Sequence, residues 1–313
     1  MNRQMKAYCY LAMAMTIAGS AVVAGKIIVS DIPIFLGAEL GIAFSLPFLL
    51  FPALRRHKNA WPSNRKTHMI LFAQGLCGVV LYRIFMFWGL KHTSATAAGL
   101  IGSTAPVLIA FFAVLLLREK LPGSRLAGAA CVSIGITAMN IMPFLENSVE
   151  AGSTLLGNCL VLAAILCESL FSVMSKSLCQ PKSALLRTTI VTLYAFTCLL
   201  PLALYDAAGY DFARMNIPSI VCLAYYGFFV SFLSYVFWFK GVAEVPAGVA
   251  GSFTGFVPLS SIVFSWLVLH EHIELIHWIG LLFVLTGIFF SCASDALPGT
   301  RISPIRTSSK KHV

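Results

Sequence analysis

The sequence predicts an all-α membrane protein: ten transmembrane helices forming two five-helix repeats of inverted topology, with both termini cytoplasmic. Three observations predict it. Of the 313 residues, 58% are hydrophobic and 11% charged, whereas soluble domains carry about 25% charged residues. Lysine and arginine fall in alternate loops. And residues 75–136 match residues 227–288 without a gap.

A bilayer core about 30 Å thick is crossed by roughly 20 mainly apolar helical residues. Ten such stretches follow one another, at residues 7–30, 33–54, 69–90, 94–117, 125–143, 153–176, 185–205, 217–239, 247–269 and 275–294. The first has a basic start and small residues, as a secretory signal does. Its apolar run is longer than a signal's and nine more spans follow, so it is read as retained. The gaps between spans are too short for a folded extramembrane domain. The chain divides into a first repeat at 7–143, a second at 153–294 and a basic tail at 295–313.

Topology follows from charge. Arg3 and Lys6 precede span one. Arg55, Arg56, Lys58, Arg65 and Lys66 separate spans two and three. Arg118, Lys120 and Arg125 follow span four, and Lys176, Lys182 and Arg187 join spans six and seven. Lys240 follows span eight, and Arg301, Arg306, Lys310 and Lys311 lie in the tail. The opposite loops keep only Lys91 and Arg214. The positive-inside rule places the basic side, and both termini, in the cytoplasm. The formal net charge of +10 is thereby explained without nucleic acid. The nine cysteines are scattered and include no C-x-x-C pair, which predicts inert buried thiols, no disulfide framework and no metal site.

In the repeat, Gly75 falls on Gly227, Phe85 on Phe237, Gly89 on Gly241, Gly99 on Gly251, Pro106 on Pro258, Glu119 on Glu271, Gly128 on Gly280 and Gly135 on Gly287. Five spans per unit is an odd number, so the second unit enters the membrane inverted. Accordingly "REKLPGSR" is basic, while its partner "HEHIELIH" has no lysine or arginine. Inverted repeats imply a substrate path between the halves and alternating access.

The stretches "TSATAAGLIGSTAPVLIAFFAVLLLREKLPGSRLAGAACVSIGI" and "VPAGVAGSFTGFVPLSSIVFSWLVLHEHIELIHWIGLLFVLTGI" resemble the two EamA-type repeats of the drug/metabolite transporter superfamily. The likeness rests on small residues, a mid-helix proline, an acidic residue at the helix end and a glycine-spaced closing helix, and it covers about residues 7–294. It implies a secondary transporter, with helices one to four and six to nine around a central cavity. The family includes exporters of amino acids and related metabolites, and carriers of other small solutes.

Pro106 and Pro258, with Gly99 and Gly251 on the same spans, are candidates for flexible points in gating helices. A proline removes a backbone donor and clashes with the preceding turn, and the competing reading is a static kink. Gly37, Gly41, Ala98, Gly99 and Gly102 suit close helix contacts.

Lys26, Glu39, Arg83 and Glu168 are ionisable groups inside spans, where such groups face a cavity or a partner. At about 1.5 Å per residue, Lys26, Glu39 and Arg83 lie roughly 6, 9 and 12 Å inside the outer face. They come from three spans of one repeat. Arg83 would grip a carboxylate with its two-point fork, and Glu39 would take an amino group or a proton. The alternatives are a structural Arg83–Glu39 pair or an arginine that snorkels past Trp88. Glu168, roughly 22 Å from the outer face, is a lone carboxylate suited to a coupling proton or to a neutral helix contact. Arg83 aligns with Tyr235, so the inverted halves would present an arginine on the outer side of the path and a tyrosine on the inner side. Ser234, Tyr235 and Trp238 are candidates for an apolar or aromatic part of the ligand. Trp238 is equally placed for an interfacial belt.

Small multidrug exporters of the superfamily resemble one another in a first-helix glutamate. Residues 7–30 contain no Asp or Glu, which speaks against a bulky cation. No nucleotide-binding G-x-x-x-x-G-K-[ST] occurs, so energy comes from a gradient, with coupling to protons open and no cofactor expected. The expected function is export of an amino acid or another zwitterionic or anionic metabolite across the cytoplasmic (inner) membrane, by a monomer or homodimer in contact with lipid. Import or exchange of organic anions is the second transport reading. A membrane enzyme would need a polar constellation at one interface, and His270, Glu271, His272, Glu274 and His277 are poorly suited because Glu271 already has its repeat partner. A scaffold would leave Arg83 and Glu39 unexplained.

Overall fold

The computed structural model describes residues 3–56, 61–62, 64–92, 101–119, 122–147, 155–177, 183–269 and 275–293, and these residues are largely helical. In chain order the α-helices are α1 (Arg3–Asp31), α2 (Ile34–Arg56), α3 (Arg65–Gly75), α4 (Tyr82–His92), α5 (Ala105–Leu117), α6 (Gly123–Asn147), α7 (Leu155–Ser177), α8 (Ala184–Ala208), α9 (Ile217–Tyr225), α10 (Tyr235–Val242), α11 (Ala247–Ser252), α12 (Phe256–Leu269) and α13 (Leu275–Ala293). Among the described residues, five helical stretches are long and apolar enough to cross a membrane: Ile34–Arg55, Arg65–Met86, Leu155–Lys176, Ala184–Ala208 and Ile217–Val242. Ala105–Leu117 and Trp278–Cys292 are shorter apolar helices.

Local sequence explains the helix ends. Asn64 caps α3 by accepting the Lys66 N–H at 3.0 Å, and Asn216 caps α9 through the Ser219 N–H at 3.1 Å. The α2 start has no such residue. There Asp206, at the end of α8, accepts the Phe35 and Leu36 N–H groups at 3.0 and 3.3 Å. Asp31 in turn accepts the Asn216 N–H at 3.1 Å. In lipid, where water is absent, such partners satisfy otherwise orphaned donors.

Span three is continuous through a π-helical stretch, Leu76–Leu81, between α3 and α4. Span eight does the same through Tyr226–Ser234, between α9 and α10. In the repeat register Leu76–Leu81 corresponds to 228–233, so the wide turns occupy equivalent places. Glycine admits the packing there: a Cβ on Gly75 would lie 2.8 Å from the Val191 carbonyl on α8, and one on Gly227 3.0 Å from the Gly41 carbonyl on α2.

Spans four and nine are broken at matching levels. The first turns at Ser103 and Thr104 before α5, and the second passes through a 3₁₀ turn, Phe253–Gly255, before α12. Pro106 is the second residue of α5 and Pro258 the third of α12. First-turn N–H groups have no intrahelical partner, so a proline there loses no hydrogen bond. The prolines therefore stand where new helices start, in place of the mid-helix positions the sequence suggested.

Equivalent helices pack in pairs. α6 lies along α13, and α2 along α8. α1 packs on α12 as α7 packs on α5, and on α10 as α7 packs on α4. The α6–α13 contact is backbone to backbone. A Cβ on Gly128 would lie 2.6 Å from the Gly287 carbonyl, and one on Gly135 2.7 Å from the Gly280 carbonyl. Gly128 and Gly280 are repeat partners, as are Gly135 and Gly287, and each residue meets the other pair's mate. The two helices are thus antiparallel and related by an approximate two-fold axis.

Gly128→Val and Gly287→Val should each destabilise the protein by about 2–3 kcal/mol or more, because carbonyls of a packed partner helix cannot retreat as a flexible side chain can. Thermal unfolding in detergent, compared with Gly123→Val at a position with open space, checks this.

Candidate functional site

Arg83 is the second residue of α4, just past the π-helical stretch, and is half-buried. Its Nη1 donates to the Ala38 carbonyl of α2 at 3.2 Å. Its guanidinium carbon stands 5.9 Å from the centre of the Tyr226 ring. Tyr226 is held by α2: a Cβ on Gly41 would be 3.1 Å from its ring. The guanidinium is thus anchored by one N–H and one aromatic face, and the rest of its fork makes no other hydrogen bond among the described residues.

Glu39 is one residue beyond Ala38, 4% exposed, and neither carboxylate oxygen has a hydrogen-bond partner among the described residues. Arg83 is its electrostatic neighbour, but the two make no direct ion pair. The expected pair is therefore loosened, since Arg83 spends its anchoring donor on the Ala38 carbonyl. An ionised carboxylate buried without a hydrogen bond is costly, so this position suits a ligand ammonium or a proton.

Three tyrosines complete the group. Tyr82 and Tyr235 are each electrostatic neighbours of Arg83, Glu168 and Tyr226. Tyr235, which directly follows the second π-helical stretch, has its ring centre 5.9 Å from that of Phe171. The arginine and its repeat partner Tyr235 are therefore electrostatic neighbours, where sequence depth had put them on opposite sides of the path. Glu168 is likewise not isolated: α4 packs along α7 and brings it to the same tyrosines. Lys176, the basic residue nearest to it in sequence depth, is engaged elsewhere.

Other expectations are placed differently. The Ser234 hydroxyl donates to the Ala14 carbonyl of α1 at 2.9 Å, so it joins two helices. Trp238 is 3% exposed and packs in the apolar core with Phe239, not in an interfacial belt; its indole N–H has no partner among the described residues. A Cβ on Gly251 would meet Ile109 at 2.7 Å, a close contact between spans nine and four. The Lys26 side chain, the Pro258 side chain, Gly99, and His270, Glu271, His272 and Glu274 with the His277 side chain lie outside the described residues. No group of three or more His, Cys, Asp or Glu gathers among those described.

Tyr82 and Tyr226 are members of the group that sequence reasoning missed, and Gln74 is a buried polar residue outside it that was missed as well. Gln74 is fully buried and donates to the Met174 carbonyl at 3.0 Å, and it is the repeat partner of Tyr226. Polar side chains inside apolar spans, one beside Arg83 and the others beside the paired glycines, were the available signal.

The model of the EamA-like transporter family matches the chain twice, at residues 5–141 and 155–293. The chain belongs to this family. The uncharacterized transporter YetK of Bacillus subtilis is 36% identical over 303 residues, covering 95% of this chain and 90% of the relative. A probable terminal-alkyne amino-acid exporter of Streptantibioticus cattleyicolor is 25% identical over 208 residues, covering 66% of this chain and 67% of that protein. One solved structure, 17% identical, has the same fold, with a TM-score of 0.76 over 93% of this chain and 97% of its own. The chain is a multi-pass membrane transporter and not an enzyme.

Ser234→Ala should cost about 1 kcal/mol of stability, the usual net worth of a buried hydrogen bond. It should leave ligand affinity unchanged, because the hydroxyl is turned to α1. Thermal unfolding and ligand titration on the same sample separate the two.

Proposed function

We propose that the protein exports an amino acid or a related zwitterionic or anionic metabolite across the cytoplasmic membrane by alternating access. The observation that carries this reading is the pairing of a partly free guanidinium with a buried, unpartnered carboxylate at adjacent positions on α4 and α2. Arg83 takes the ligand carboxylate in a forked contact. Glu39 takes the ammonium, and the tyrosines line the remainder. Glu168, or Glu39 in the absence of ligand, carries a coupling proton. The antiparallel contact of equivalent helices supports ten spans in two inverted repeats, 7–143 and 153–294, with both termini cytoplasmic. The exporter named among the relatives supports amino acids and the outward direction.

The test is ligand-induced thermal stabilisation of the purified protein, since a ligand that favours the folded state raises its apparent stability. Zwitterionic amino acids should stabilise wild type and fail with Arg83→Ala. Arg83→Lys, which keeps charge but not the fork, should weaken binding about tenfold, one charge-assisted hydrogen bond's worth. Glu39→Gln should lose preference for zwitterions over plain carboxylates. Stabilisation by lipophilic cations alone, indifferent to Arg83, would overturn the reading.

A further inference from the structure

The motif glutamate at the end of span four, Glu119, takes no part in the ligand group. Both its carboxylate oxygens accept the Ala247 N–H, at 3.0 and 3.1 Å. Ala247 opens span nine in the other repeat. The contact lies at the end of the molecule that holds the α1 start and the α7 end, away from the Asp31 and Asp206 caps.

Two further charged groups hold the same turn. Lys176 of α7, 8% exposed, donates to the Val242 and Ala243 carbonyls at 3.4 and 3.3 Å. Arg3 of α1 pairs with Glu244 at 3.0 Å; its side chain is 82% exposed, and such surface pairs contribute little. The turn between α10 and α11, residues 243–246, is therefore gripped at its start by Lys176 and just past its end by Glu119.

The backbone that delivers Glu119 is strained. Arg118 has φ 52 and ψ 34, and it is the non-glycine residue with positive φ among those described. A side chain in this left-handed region costs about 1–2 kcal/mol. An αL residue is a common helix end, but glycine is its usual occupant. Here the reversal turns the chain so that Glu119 reaches the second repeat; the Glu119 N–H itself bonds the Ala113 carbonyl at 3.2 Å. Strain of this kind persists where surrounding contacts hold it.

We propose that Glu119 is the latch of the inner gate: its bond to the Ala247 N–H holds spans four and nine together while the path is closed to the cytoplasm, and must break when that side opens. The assignment rests on the alternating-access reading above. A latch needs an interaction strong enough to hold one state and local enough to be lost whole. A charge-assisted bond from a single carboxylate to a single backbone donor meets both conditions. Relief of the strain at Arg118 offsets part of the loss on opening. Lys176 stays with the turn, since its partners belong to the end of span eight and it sits on α7 of the same repeat.

The test measures the distance between spin labels carried on unnatural amino acids at Gly123 and Lys240, both exposed at this end, which leaves the nine native cysteines untouched. It is done in nanodiscs without ligand, so its outcome does not depend on the substrate class. Wild type should give a dominant short distance. Glu119→Ala should raise the ratio of a longer population to the short one by about tenfold or more, the ordinary worth of a charge-assisted hydrogen bond. Glu119→Gln keeps one acceptor and should fall between. A static helix cap would lower the unfolding temperature with the distances unchanged, and that result would overturn the latch. If Glu119→Ala does not fold, Glu119→Gln decides by the same criterion. A shifted ratio together with failure of carboxylate binding at Arg83 would sink the substrate assignment and leave the latch standing.

Discussion

The two halves of the chain meet at glycine, backbone against backbone. In water the burial of apolar side chains would drive such a contact. In a bilayer the lipid tails are as apolar as any side chain, so association depends on close approach, dispersion and hydrogen bonding. Gly128 on Gly287 and Gly135 on Gly280 supply the approach. Because each glycine meets the mate of the other pair, the contact also sets the approximate two-fold axis. From that axis follow the pairing of α2 with α8 and the matched packing of α1 and α7 on the broken spans.

The second constraint is that a backbone out of water must satisfy its own polar groups. It makes the departures from regular helix informative, since none is tolerated without compensation. The π-helical stretches fall at equivalent positions in spans three and eight, and the residues that follow them, Arg83 and Tyr235, face a common group. Wide turns of this kind are frequent at functional sites, because the altered winding re-aims the side chains beyond it. The breaks in spans four and nine are handled differently. Their prolines stand in the first turn of a new helix, where the missing donor is not needed. The helix ends borrow carboxylates from distant parts of the chain: Asp206 for α2, Asp31 for the approach to α9, Glu119 for the start of α11.

The charge pattern of the candidate site is economical. One arginine is anchored by a carbonyl and an aromatic ring. One carboxylate nearby is sealed from solvent without a bond, and another is reached through tyrosines. A positive and a negative group thus lie near each other without a direct ion pair, and the proposed binding of a zwitterion rests on that arrangement.

Much of this was legible in the amino-acid order. The long apolar helices follow from residue hydropathy, and the doubled family match follows from glycines, prolines and glutamates that recur in register. Arg83 and Glu39 stood out because charge is costly in lipid whatever the fold. What the order of residues could not decide was which groups face one another. Helical rise gives depth but not azimuth, so Glu168 was set apart from Arg83 and Tyr235 was placed across the path from it. Packing of α4 along α7 brings Glu168 to the tyrosines, while packing of α1 on span eight turns Ser234 toward the Ala14 carbonyl. By itself the sequence determined a membrane transporter of two matched halves, because hydrophobicity and repetition are properties of residues in order. The tertiary structure alone decided which side chains come together as the candidate site, because that depends on how each helix is rotated about its axis, and its neighbours set that rotation.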